Sequence, residues 1–495
     1  SSRTHRIYFM KKSISIIGSG FSSLSAACYL AKMGHNVEVF EKNDDFGGRA
    51  RQFKEDGFTF DMGPSWYWMP DVFERFFKDF DFKVEDFYSL KKLNPAYNVY
   101  FGKNDFIAIP DSLDKIYKVF ENEEKGSSKK LKKFISRAKD NYKIAVTDML
   151  YKMPGLSPLE LISFDTIRRV GYFFSNIKKE VHKDFKNPKL RSILEFPVLF
   201  LGAESSNTPA FYNFMNYADF GLGTWQPTNG FFDVVNAMIS VGKKLGVKYH
   251  NNSNIDEIIT NKNYATGIKV NGKIINSDIV LSGADYNHTE KLLPKNLRQY
   301  SEKYWSKRVL APSSLLFYLG FDKKLSNLAH HNLFFDTDFN LHSKEIYKEP
   351  KWPSEPLFYA NFTSITNEHT APKGCENGFI LIPLAPGLND TQKLRDKYFD
   401  MVIDRIESIT EQKIKESIIF KKSFCVNDFI DEYNSYKGNA YGLANTLLQT
   451  SFLRPKLKSK LVKNMYFTGQ LSVPGPGVPP AIVSGKLVAD LINNK

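Results

Sequence analysis

SISIIGSGFSSLSAACYLAKMGHNVEVFE, residues 13–41, carries the fold in its spacing. Ser13–Gly18 reads as a short buried strand. A turn of small residues follows. Leu24, Ala27, Cys28, Leu30 and Ala31 then recur at helical spacing until Gly34, placed as a helix stop. Val37–Glu41 is a second strand, so the stretch has the length of a parallel strand–helix–strand crossover. Its turn reads Gly18-Ser19-Gly20-Phe21-Ser22-Ser23. The first glycine permits the tight turn, the second lets backbone approach a pyrophosphate, and Ser23 stands where a small residue allows helix and strand to pack closely. The backbone N–H groups and dipole at the helix start suit phosphate. Glu41 ends the second strand 23 positions after Gly18. That is close to the ~20 expected of a carboxylate that binds ribose hydroxyls, and an acid there disfavours a 2′-phosphate. The stretch therefore predicts a site for an adenine dinucleotide, NAD or FAD rather than NADP.

Outward from this unit, Gly47-Gly48-Arg49-Ala50-Arg51 offers two glycines for close approach and a planar guanidinium for phosphate. Phe58–Pro64 reads as a strand entering a tight turn. A second block of the same character follows much later. Phe231–Leu245 is a predicted helix, and Val247–His250 and Ile255–Thr260 are predicted strands. Tyr264–Val270, Asn271-Gly272 and Lys273–Asn276 form a hairpin, since Asn-Gly suits a turn with positive φ. Asp278–Leu281 is a further strand. The last block is strand Met465–Thr468, the loop Pro474-Gly475-Pro476-Gly477-Val478-Pro479-Pro480, and helix Ala481–Ile492. Proline is tolerated in a first helical turn, and that helix start would present a positive dipole to a ligand. Between the blocks lie a Lys- and Phe-rich, mainly helical stretch after an early strand pair, and a mixed stretch with strands Ser314–Gly320 and Gly378–Leu384 and helix Thr391–Ile409. The expected class is α/β: a Rossmann-like dinucleotide domain threaded through 11–90, 222–290 and 446–495. A mixed α+β substrate domain, 91–221 and 291–445, interrupts it. Residues 1–9 are expected to be a remnant ahead of a natural start at Met10.

The 495 residues carry 42 Phe and 25 Tyr against 5 Trp. Two readings stay open: a Phe-rich core, or an apolar ligand tunnel lined by aromatic side chains. The formal charge is +14, with a local run at Lys129, Lys130, Lys132 and Lys133. A solvated helix face is the plain reading of that run, and an anionic membrane surface the next. No helix-turn-helix, zinc-finger or RNA-binding signature accompanies the charge, so no nucleic acid partner is expected. Cys28, Cys375 and Cys425 lie far apart, without CxxC pairs, so neither a disulfide framework nor a metal site is indicated. No apolar run approaches the ~20 residues of a membrane span.

With GSGFSSLSAACYLA, EKNDDFGGRARQF, GFTFDMGPSWYWMPDVFERFF, FPVLFLGAESSNTPAFYNFMNYADFGLGTWQPTNG and FTGQLSVPGPGVPPAIVSGKLVAD together, the chain resembles the bacterial carotenoid desaturases of the flavin-dependent amine oxidase superfamily. The resemblance runs from Ser13 almost to the end. It implies FAD as cofactor, contacted by Gly18, Gly20, Phe21, Glu41, Lys42, Gly48, Arg49, Met62 and Gly63. Ile255 would clasp the adenine side through its backbone, and Gly469, Gly477 and Val478 would lie against the flavin. It implies dehydrogenation of a long acyclic polyene, as by a phytoene desaturase or a 1-hydroxycarotenoid 3,4-desaturase, with the latter slightly favoured. It also implies oxygen or a quinone as electron acceptor, and a cytoplasmic enzyme docked on the inner face of the membrane. Because the flavin carries the hard step, no catalytic triad is required and none is seen. Asp165 with Arg168 or Arg169 falls where the family has an acid–base pair, but a helix-surface ion pair is the plain reading, and they are left out of the site. A carotenoid isomerase using FAD, an amine oxidase and a prenyl-lipid escort protein share the fold. The absence of cysteine after Cys425 disfavours only amine oxidases with cysteine-linked flavin.

Overall fold

The computed structural model describes residues 10–146, 150–155, 175–201, 203–446 and 448–494 (of 199–201 the backbone alone). Residues 1–9 and Asp165, Arg168 and Arg169 lie outside the described residues. The crossover forms as its spacing predicts: β1 (Ser13–Ile17), α1 (Phe21–Lys32) and β2 (Asn36–Phe40). α1 ends at Lys32, and Gly34 takes the left-handed conformation just beyond it. Farther along come α2 (Phe232–Lys244), β3 (Lys248–His250) and β4 (Ile279–Ser282), then β5 (Met465–Phe467) and α3 (Val478–Asn493). The five strands make one parallel sheet in the order β5-β4-β1-β2-β3, with Ile16 beside Leu281 on one side and beside Val39 on the other. α1 packs against both α2 and α3. Cover by these helices on one face and by the 255–276 segment on the other explains why β1 and β4 are buried on both faces, the half-buried Ser13 aside. The 255–276 segment is the predicted three-stranded antiparallel sheet, turned by Asn271 and Gly272 at positive φ.

A seven-stranded sheet runs in the order 418–424, 313–321, 376–384, 358–361, 331–334, 97–102, 105–109. Its pairs are antiparallel except 331–334 with 97–102. Here the side-chain period of two does the sorting. Leu315, Phe317, Ile380 and Ile382 face helix Gln392–Thr410 and pack on Val402, Ile403 and Ile406. Their neighbours Leu316, Phe379, Leu381, Leu333 and Tyr359 face the other way, into a cavity. Lys129, Lys130, Lys132 and Lys133 occupy the exposed face of helix Ser127–Ile144, whose buried face carries Leu131, Phe134 and Ile135. Phe58, Phe73, Phe76, Phe77, Phe120, Phe134 and Phe185 are fully buried core. Much of the phenylalanine excess is therefore packing, and only part of it lines the cavity. Among the described residues no helix is long and apolar enough to cross a membrane.

Candidate functional site

One cavity of about 420 Å³ opens along the carboxyl end of the parallel sheet and continues beneath the seven-stranded sheet. Gly18, Gly20, Phe21, Glu41, Lys42, Gly48, Arg49, Met62, Gly63, Ile255, Gly469, Gly477 and Val478 all line it. The location is the one where open α/β sheets leave a crevice.

At the sheet end the donors and charges gather. Gly20 caps α1 without a side-chain hydrogen bond, so the first-turn N–H groups point into the cavity unpaired. A Cβ built on Gly20 would meet nothing within 4 Å. The Glu41 carboxylate is buried, accepting from Ser19 Oγ at 2.5 Å and from Asn43 N at 2.9 Å. Arg49 projects from the turn Gly48–Ala50. One of its Nη atoms donates to Ser435 Oγ (3.1 Å) and the Asn439 carbonyl (3.3 Å), and the guanidinium lies over the Tyr433 ring. Its buried Nε has no partner. Burial lowers the affinity of Arg49 for its proton, opposed by the attraction of Asp285 and Tyr433. The Lys42 ammonium is engaged with the Asp431 carbonyl, and it helps burial push His288 down to about 4. At the edge strand of the sheet, Gly469 N donates to Ser484 Oγ (3.0 Å), fixing the carboxyl end of β5 against α3. Gly477 is the N-cap of α3, with proline in the first turn. The helix thus starts at Val478, three residues earlier than the apolar pattern alone suggested.

Beyond Met62 and Gly63 the lining changes character. Trp66, Trp68, Phe196, Phe211, Phe214 and Met215 form one wall, and Leu316, Leu333, Phe379 and Leu381 another. Trp66 and Trp68 each meet Phe196 at 5.9 Å between ring centroids. Among the described lining residues every charged side chain, namely Glu41, Lys42, Arg49, Asp285 and Glu432, belongs to the sheet end. There they are linked through Arg49–Asp285, Arg51–Glu432 and Lys42–Asp431. Polar groups in the apolar arm include the Tyr212–Thr450 pair and a polar knot of Tyr359, Ser65, His331 and Asn361.

Sequence reasoning missed Asp285, Ser253, Asn254, Ser65, Trp66 and Tyr359, which also line the cavity. Asp285 left a readable sign. It follows the strand end Ser282-Gly283-Ala284 and caps the next short helix by accepting from His288 N at 2.9 Å. Tyr359 left none, because its strand reaches the site only through a sheet of seven strands drawn from five distant segments.

Comparison with known proteins agrees with this architecture. Residues 21–493 match the family described as flavin containing amine oxidoreductase. The chain is 38% identical over 482 residues to the carotenoid 3,4-desaturase of Haloarcula japonica, covering 97% of each. It is 30% identical over 496 residues to the 4,4'-diapophytoene desaturase (4,4'-diaponeurosporene-forming) of Staphylococcus haemolyticus, covering 96% of this chain and 98% of the relative. Among solved structures, an oxidoreductase from Methanosarcina mazei superposes with TM-score 0.62 at 19% identity, over 96% of this chain and 99% of that one. Putrescine oxidase bound to putrescine superposes with TM-score 0.61 at 13% identity, over 98% and 100%. The α/β dinucleotide fold with its flavin cleft and the sequence relatives lead to one conclusion: the chain belongs to the flavin containing amine oxidoreductases, in their carotenoid desaturase branch.

Proposed function

We propose that the protein is an FAD-dependent desaturase of a long acyclic carotenoid. The carrying observation is the continuity of a dinucleotide crevice with an arm that is free of charged side chains among the described lining residues. A cationic amine would find no counter-ion in that arm, whereas a polyene needs none. The residues present fit FAD. The open first-turn N–H groups behind Gly20 and the unpaired Arg49 Nε are donors awaiting an acceptor such as pyrophosphate. Glu41, with lone pairs left after Ser19 and Asn43, accepts from ribose hydroxyls. In this reading Gly18, Gly20, Phe21, Gly48 and Arg49 hold the pyrophosphate, while Glu41, Lys42 and Ile255 hold the adenosine. Met62, Gly63, Gly469, Gly477 and Val478 enclose the ring system. When bound, FAD supplies the two-electron acceptor for a hydride leaving one substrate carbon, while the adjacent carbon gives up a proton and the new double bond forms. The protein's share is position and dryness: the aromatic walls align the chain and keep water from the reacting carbons.

The proposed division into a dinucleotide domain (11–90, 222–290, 446–495) and a substrate domain (91–221, 291–445) is supported by the parallel sheet falling in the first and the seven-stranded sheet in the second. Residence at the cytoplasmic membrane surface, where the substrate dissolves, is supported by Leu448, 79% exposed, with Val309 and Leu453 also exposed. Gln449 holds Val309, and nearby Thr450, Ser451 and Val473 line the cavity. Oxygen or a quinone reoxidises the cofactor. Purified protein should be yellow. With FAD and liposomes it should shift the absorption of phytoene or of a 1-hydroxylated carotenoid to longer wavelength; no shift with either would overturn the proposal.

A further inference from the structure

The polar knot in the apolar arm has a direction. His331 is wholly buried, its ring stacked 4.1 Å from that of Trp66, and desolvation keeps it neutral. Its Nδ1 lies 2.5 Å from the Tyr359 hydroxyl, while its Nε2 has no partner. A buried N–H without an acceptor is the costlier orphan. The hydrogen is therefore assigned to Nδ1, which donates to Tyr359. Asn361 Nδ2 donates to the same hydroxyl at 3.0 Å. Those two bonds saturate the lone pairs of the Tyr359 oxygen and leave its one hydrogen to be donated to Ser65 Oγ, 3.1 Å away. Ser65 lines the cavity and is half-buried. Having accepted from Tyr359, it retains its own hydrogen and one lone pair for whatever lies in the arm.

We propose that Ser65, oriented by Tyr359, His331 and Asn361, is the receptor for a hydroxyl group on the polyene, carried close to the bond being oxidised. The proposal rests on the desaturase reading. A hydroxyl uses both vacancies of Ser65, one by donating and one by accepting. A carboxylate or ammonium would stand without a counter-charge in this part of the cavity. Proximity to the reacting bond follows from the chain: Ser65 is two residues past Gly63, within about 7 Å of it, and Gly63 belongs to the turn assigned to the flavin. A purely hydrocarbon substrate would leave this preset donor unpaired, so the knot also discriminates against the unhydroxylated chain.

The test uses FAD-loaded protein and two ligands of equal conjugation, an acyclic carotenoid with a terminal hydroxyl and its hydrocarbon counterpart. Dissociation constants are read from quenching of tryptophan emission. Wild type should bind the hydroxylated ligand roughly tenfold more tightly. Ser65→Ala should bring that ratio to about one, and Ser65→Thr, which keeps the hydroxyl, should preserve most of it. Tyr359→Phe, with folding checked by its melting temperature, should also lower the ratio. A ratio near one in wild type, or one that Ser65→Ala leaves standing, overturns the assignment. Absorption spectra of the same samples report desaturation separately. Tight, Ser65-dependent binding without a red shift would remove the desaturase reading and leave the receptor in place.

Discussion

Gly20 shows how much a single position can decide. Its φ of −72° is open to any L-residue, and a Cβ there would meet no protein atom within 4 Å. In the proposed function, what it would meet is the pyrophosphate of FAD. Gly20→Val should therefore fold with a near-normal melting temperature, yet retain FAD at least tenfold more weakly when released flavin is measured by fluorescence. Unchanged retention would show that the pyrophosphate lies elsewhere. Legibility divides along the same line. Gly18, Gly20 and Glu41 were readable because a nucleotide imposes fixed spacings on a local crossover. Ser65 and Tyr359 were not, because they stand 294 positions apart and meet only in the folded sheet.

The contact between α1 and the strand end of β4 is a close one. Ser23 stands where Gly or Ala would ordinarily let helix and strand approach, and Gly283 yields the room instead: a Cβ there would fall 1.9 Å from Ser23 Oγ. Gly283→Ala should lower the unfolding free energy by about 1–3 kcal/mol, and adding Ser23→Gly should restore most of it in denaturant titrations. A second coupling joins the 58–61 strand to α2. Asp61 accepts from Phe231 N (2.7 Å) and Gln52 Nε2 (3.0 Å), yet burial pushes its carboxyl up to about 6. The folded state thus holds this proton more tightly than the unfolded chain does. Stability from this group is complete below the unfolded value near 3.8 and is lost as pH rises through about 6. Asp61→Asn should remove that fall, on the order of 3 kcal/mol between pH 4 and 7, from unfolding curves measured across the range. Of these features the sequence showed the strand and its turn. It did not show that the carboxylate's backbone partner comes from a helix start 170 positions on.

For the molecule as a whole, the charge of +14 and the exposed Val309, Leu448 and Leu453 should act together on lipid. Sedimentation with vesicles containing anionic lipid should carry the protein down, less so as salt is raised, and Leu448→Asp should weaken the salt-resistant part. Retention independent of both would argue against a peripheral docking face. The parallel sheet also has a consequence in time. Its inner strands arrive at residues 13–17 and 279–282, and the edge strand that carries Gly469 into place arrives only at 465–467. At about 5–20 residues per second of synthesis, the nascent sheet waits tens of seconds for its last strand. Until then it is half a clamp with an open sheet edge, exposed to mispairing. The cleft is therefore completed only when the carboxy-terminal strand and helix have been made.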